Sequence, residues 1–104
     1  MDKADPRSQF EQAKRLMLLR EAMGYGGRHQ ARYALFLGLT NSGYNHFEQG
    51  RRPLSFTAAQ RIADRTGVTI DWLVNGNRGG LSLTMLNQIY PTQDAAGQSG
   101  RQQP

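Results

Sequence analysis

Apolar residues return at helical spacing through most of the chain, and no segment alternates apolar with polar as a strand would. Phe10, Ala13, Leu16, Met17, Arg20 and Met23 fall on one face and predict a helix starting near Arg7 or Ser8. Gly24-Tyr25-Gly26-Gly27 ends it, because glycine enters the left-handed cap without a Cβ clash. A second helix is predicted over 28–37, stopping at Gly38. Thr40 is a good cap for a third, with Leu39 and Tyr44 placed as a hydrophobic staple, and Gln49-Gly50 closes it. Ser55 caps a fourth, whose inner face is Ala59, Ile62, Ala63 and Thr66, with Gly67 as its stop. Thr69 caps a fifth, stapled by Val68 and Leu73; Asp71 faces the positive end of its dipole, and Asn75-Gly76 ends it. The prediction is an all-α protein: a flexible polar arm over 1–7, five helices over 8–78 and a short apolar helical segment over 79–90. Residues 77–80 read as a flexible joint, and 91–104, almost without apolar content, as a disordered tail.

The middle of the chain is the most constrained. Tyr33, Leu37, Leu39, Tyr44 and Phe47 are the positions that face inward when two short helices cross steeply. Ala34 stands where the helices approach most closely, and Gly38 sits in the turn, where positive φ is needed. A compact helix pair with a tight turn is how proteins lay one helix in the major groove of DNA.

Composition narrows the picture. A chain of 104 residues has room for one domain with a short appendage. Its charge of +5 and pI near 10.2 suggest a polyanionic partner. The absence of cysteine excludes disulfides and thiolate metal sites, and the two histidines show no metal-ligand spacing. Neither a cofactor nor a metal is therefore expected. No nucleophile–base pair stands out, and Gly24–Gly27 is not followed by the Lys-Ser/Thr of a phosphate loop, so no enzyme is expected either. The first residues lack the apolar core of a signal peptide, and the longest apolar run, Tyr33–Leu37, is far short of a membrane span. The expectation is a cytoplasmic protein without a membrane partner.

Gln30, Ala34, Gly38 and the apolar set are followed by Phe47-Glu48-Gln49-Gly50-Arg51-Arg52-Pro53 and by Thr66-Gly67-Val68-Thr69-Ile70-Asp71-Trp72-Leu73-Val74-Asn75-Gly76. Together these blocks resemble the phage-repressor and Cro-like (Xre-type) helix-turn-helix DNA-binding family, over about Arg15–Gly76. The resemblance implies a five-helix lambda-repressor-like domain with its helix-turn-helix unit at 30–49. It implies a sequence-specific regulator of transcription on double-stranded DNA: a repressor, acting as a homodimer, in a bacterial or phage-like, nucleoid-associated setting. Thr40, Asn41, Ser42 and His46 match the positions that read bases, and their side chains suit base edges. Gln30 matches the position whose amide touches the DNA backbone. Arg28, Arg32, Asn45, Gln49, Arg51 and Arg52 fall where the sugar-phosphate would pass. Glu48 matches a carboxylate that the family pairs with an arginine from the first helix, here Arg20.

The chain also departs from that pattern. Gly43 lies inside the reading helix at a cost of about 1 kcal/mol relative to alanine. Either it lets the backbone approach DNA closely or it is tolerated drift. The connection Gly24–His29 is longer than usual for the family, and Leu35 and Phe36 replace polar residues. A helix apolar all round needs cover. The expected cover is Leu81–Tyr90, from the same or a second chain, with Trp72 and Tyr25 joining the patch. Leu35, Phe36 and Leu81–Tyr90 could also meet a protein partner, so the alternative is an antitoxin-type or other protein-interaction module that keeps the fold without reading DNA.

Overall fold

Five helices of the protein start at a hydroxyl, and the local chemistry explains why. In a computed structural model, which describes residues 2–91, Ser8, Thr40, Ser55, Thr69 and Ser82 each accept a hydrogen bond from the backbone N–H three residues on. Each cap satisfies an otherwise orphaned donor and is worth about 1 kcal/mol. The helices they open are α1 (Gln9–Ala22), α3 (Asn41–Glu48), α4 (Phe56–Thr66), α5 (Ile70–Asn75) and α6 (Leu83–Ile89). α2 (Gln30–Leu37) has no side-chain cap and is entered instead through a 3-10 turn over Gly27–His29. The described residues contain no strand, so the fold is all-α, with a sixth helix after the five expected.

The core gathers Leu16, Leu19, Tyr33, Leu37, Tyr44, Ile62, Trp72, Leu73 and Ile89, all sealed from solvent. Burying each is worth about 2 kcal/mol. α1 runs through the middle and meets α3, α5 and α6. Its inner face is not the one the spacing predicts. Phe10 and Met17 are 41% and 44% exposed, whereas Gln12, Arg15 and Leu19 are buried beside Ala13, Leu16 and Arg20. The inner face is wide because α1 is flanked on several sides, and two polar residues belong to it because distant backbone groups satisfy them. The Gln12 amide donates to Val74 O (3.1 Å) while its Oε1 accepts from Leu54 N (2.8 Å). Arg15 donates to the carbonyls of Leu73, Val74 and Pro6, which tethers the end of α5 and the start of the chain.

The segments read as loose are hydrogen-bonded. Ser8 Oγ donates to Lys3 O (2.8 Å), and Lys3 Nζ lies 5.1 Å from the Phe10 ring centre, so the residues before α1 fold back onto it. Asn77 Nδ2 donates to Asp71 Oδ2 (2.7 Å) and its Oδ1 accepts from Gly79 N (2.9 Å). The expectation of a disordered tail concerns residues that, from 92 onward, lie outside the described part.

α6 corrects a further expectation. It does not cover Leu35 and Phe36 of its own chain, since it seats on α1, and Leu35 stays 79% exposed. Trp72 is fully buried, and among the described residues its ring pairs with Tyr90 and not with Tyr25 or Phe36. The indole explains the choice: its N–H needs an acceptor once buried, and Tyr90 Oη supplies one at 3.1 Å, with the rings edge-to-face. Arg78 lies over the Tyr90 ring, 3.6 Å from its centre. Tyr25 does join the patch, its ring 5.8 Å from Phe36 and 5.2 Å from Tyr33.

Candidate nucleic-acid interface

The interface begins with how α2 and α3 cross. Tyr33, Ala34 and Leu37 of α2 are buried, as are Tyr44, Phe47 and Glu48 of α3. The Tyr33 and Tyr44 rings meet edge-on at 5.5 Å. Gly38 turns the chain at φ +77°, a conformation that a side chain would strain. Arg61 of α4 steadies that turn by donating to Gly38 O (3.2 Å). The sequence alone left Arg61 unremarked, because nothing in its spacing points 23 residues back.

Fixing one flank of α3 inside the core leaves the other in solvent. Thr40, Asn41 and Ser42 are exposed at its N-terminal end, Asn45 and His46 are half-buried, and Gln49 is exposed just beyond the helix. Arg28 and Arg32 are exposed on the 3-10 turn and α2, and Arg51 and Arg52 follow α3 in the open. Between residues 28 and 53 the only carboxylate is Glu48. Among the described residues none of these four arginines is paired with an acid, so the exposed side is electropositive.

Glu48 itself turns inward. Arg20 Nε and Nη2 donate to its two oxygens, both at 2.9 Å, with the side chains 9% and 4% exposed. Such a paired fork is among the strongest protein hydrogen-bond arrangements. It holds Arg20 charged more firmly than an ordinary guanidinium. Arg20 Nη1 meanwhile donates to Tyr25 O (2.7 Å) and Gly27 O (3.1 Å). One side chain therefore pins the unusually long connection between α1 and α2. Burial, reinforced by the Glu48 charge, pushes both Tyr33 and Tyr44 phenols well above their usual range. The Tyr33 hydroxyl finds no partner among the described residues.

The structure joins some of the sequence-predicted residues and leaves others apart. Gln30 Nε2 donates to Glu48 Oε1 (3.2 Å), which sets the first residue of α2 beside the last of α3. Arg52 Nη2 lies 2.9 Å from His46 Nδ1, and its guanidinium 6.0 Å from the Phe47 ring centre. Gln9 of α1 ties down the following loop by donating to Gly50 O (2.7 Å). Gln49 and Arg51 join it through the main chain, their N–H groups donating to Asn45 O and His46 O, both at 2.9 Å, whereas among the described residues the side chains of Arg28, Arg32, Gln49 and Arg51 reach no other member of the set. At Gly43 an added Cβ would lie 2.8 Å from Thr40 Oγ1, the oxygen that caps α3 through Gly43 N–H.

Comparison with known proteins agrees with this geometry. A family model described as helix-turn-helix matches residues 16–73, more than half of the chain. The chain belongs to the Xre-type helix-turn-helix family. No curated protein and no solved structure matches it. This helix-turn-helix protein is thus a DNA-binding transcription regulator of the Xre type. The matched span runs from within α1 to within α5 and leaves α6 outside. Among the described residues no helix is long and apolar enough to cross a membrane.

Proposed function

We propose that this helix-turn-helix protein is a sequence-specific repressor that binds double-stranded DNA as a homodimer, with α3 in the major groove. One observation carries the reading: the flank bearing Thr40, Asn41 and Ser42 is open while the opposite flank is locked to the core by Tyr44, Phe47 and Glu48. A rigid rod with one polar side free is what base reading requires. Asn41, Ser42 and His46 read bases, with Thr40 primarily the cap. Gln30, Arg28, Arg32, Asn45, Gln49, Arg51 and Arg52 position the head on the sugar-phosphate. A single head this small buries too little surface to find one site in a genome, so two copies on a two-fold operator, about one helical turn apart, supply the remainder. The setting is the cytoplasm of a bacterial or phage-like system, on nucleoid DNA.

Selection from randomised duplexes tests the reading. A palindromic consensus is expected, and Asn41→Ala or Ser42→Ala should relax it at one position per half-site. Arg51→Ala should instead weaken all sequences alike and flatten the salt dependence by about one unit. Sequence-indifferent binding that ignores the Asn41 and Ser42 changes would overturn it.

A second reading, a protein-interaction module of antitoxin type, is favoured by the α2 patch. Leu35 projects into solvent, and the next residue, Phe36, stacks on Tyr25; exposed apolar side chains of this kind mark contact surfaces. Pull-down with Leu35→Glu as the control separates it from the first.

A further inference from the structure

His46 is one of two histidines in the chain and sits on the half-buried part of the α3 face assigned above to DNA. Histidine is the most ambiguous of base readers, because its neutral ring exists in two tautomers. In each, one nitrogen donates and the other accepts. Which nitrogen carries the proton decides which base edge the residue can recognise. Here the ambiguity is removed by a neighbour that lies six residues on, beyond the end of the helix.

Arg52 Nη2 stands 2.9 Å from His46 Nδ1. A guanidinium has five N–H groups and no acceptor, and it stays charged in proteins, so it can only donate. For this contact to be a hydrogen bond, Nδ1 must offer its lone pair, and the ring proton must reside on Nε2. Arg52 is itself steadied against the Phe47 ring, whose side chain is buried in the core. The bond to His46 uses one of its N–H groups, leaving others for a phosphate.

We propose that Arg52 is a positioning residue that fixes His46 as the Nε2–H tautomer, making it a dedicated donor toward an acceptor on the base edge. This rests on the DNA-reading role of α3. Major-groove acceptors are guanine N7 and O6, adenine N7 and thymine O4, whereas cytosine offers only an amino donor. Guanine, with two adjacent acceptors, is the best partner for the single N–H. His46 therefore selects against cytosine on the strand it faces, and Arg52 acts on specificity as well as on phosphate.

Two measurements on the full chain test the proposal separately. The first needs no DNA: long-range nitrogen–proton NMR, well above the ordinary imidazole titration range, reads the tautomer of each histidine. His46 should hold its proton on Nε2 in the wild type and become a mixture in Arg52→Ala, with exposed His29 unchanged as the internal reference. A His46 signal that is the same in both proteins, or a proton on Nδ1, overturns the proposal. The second is duplex selection with the same variant. A pure phosphate contact would weaken every sequence alike and leave the consensus intact. The expected result is the loss of preference at one base pair per half-site, matching the change made by His46→Ala. An unchanged consensus counts against Arg52 as a positioning residue. The absence of any consensus in the wild type would sink the DNA reading itself and leave the tautomer to the NMR result.

Discussion

Two arginines leave α1 five residues apart, and both are almost wholly buried, yet they are neutralised in different ways. Arg20 meets a carboxylate, in a two-pronged pair with Glu48. Arg15 pairs with no acid among the described residues; the carbonyls of Leu73, Val74 and Pro6 take its donors. The last turn of α5 is the negative end of a helix dipole, so those carbonyls act together as a diffuse counter-charge. Burial accordingly lowers the pKa of Arg15, whereas the hydrogen bond to Glu48 raises that of Arg20. A buried cation can be held by one opposite charge or by several dipoles. The first kind of anchor fixes the end of α3, and the second fixes the end of α5.

The contrast predicts unequal losses. Arg20→Ala leaves the Glu48 carboxylate buried without a cation, with only the Gln30 amide to bond it, and should cost about 3–5 kcal/mol in urea unfolding at neutral pH. Arg15→Ala strands no charge, only carbonyls, of which those of Pro6 and Val74 sit in part-buried bonds, and should cost about 2 kcal/mol. Equal losses, or a larger one at Arg15, would break the comparison. Replacing both members of the pair, Arg20→Met with Glu48→Leu, should restore stability to within about 1–2 kcal/mol of wild type, because no charge is stranded. The same unfolding midpoints check it. No such rescue is available for Arg15, whose partners are main chain.

The smallest effect is expected at an exposed charge. Asp71 is held below the usual carboxylate range by the side-chain amides of Asn75 and Asn77. A carboxyl that is more acidic when folded adds stability above its unfolded pKa and loses it as pH falls through the lowered folded value. Asn77→Ala should therefore lower the unfolding temperature slightly at neutral pH and make no difference in strong acid. A variant equally destabilised at both pH values would assign the effect to the backbone turn instead.

Much of this architecture was legible because its determinants are local. Thr40, Ser55 and Thr69 could be named as caps from sequence, since a cap acts within three residues. The Arg20–Glu48 pair was reachable only through the family resemblance of its surroundings. Gln12 and Arg15 were not legible as inner residues, because their partners lie around sixty residues away and are backbone carbonyls that leave no mark on sequence. The seat of α6 was misjudged for a similar reason. Leu81–Tyr90 announces that it needs cover but not which surface provides it, and the unpaired indole N–H of Trp72 made the choice. The His46–Arg52 contact spans the end of a helix, where helical spacing no longer says which side chains meet.

The hydrogen bond between Trp72 and Tyr90 gives the molecule a built-in optical reporter. The chain holds a single tryptophan, so its fluorescence has one source. That indole lies fully buried, with its N–H bonded to the phenol just past α6. Peeling the last helix from α1 would wet the ring and move its emission to longer wavelength while the helix-turn-helix stayed folded. Light from one residue thus registers whether the segment outside the family-matched span is docked.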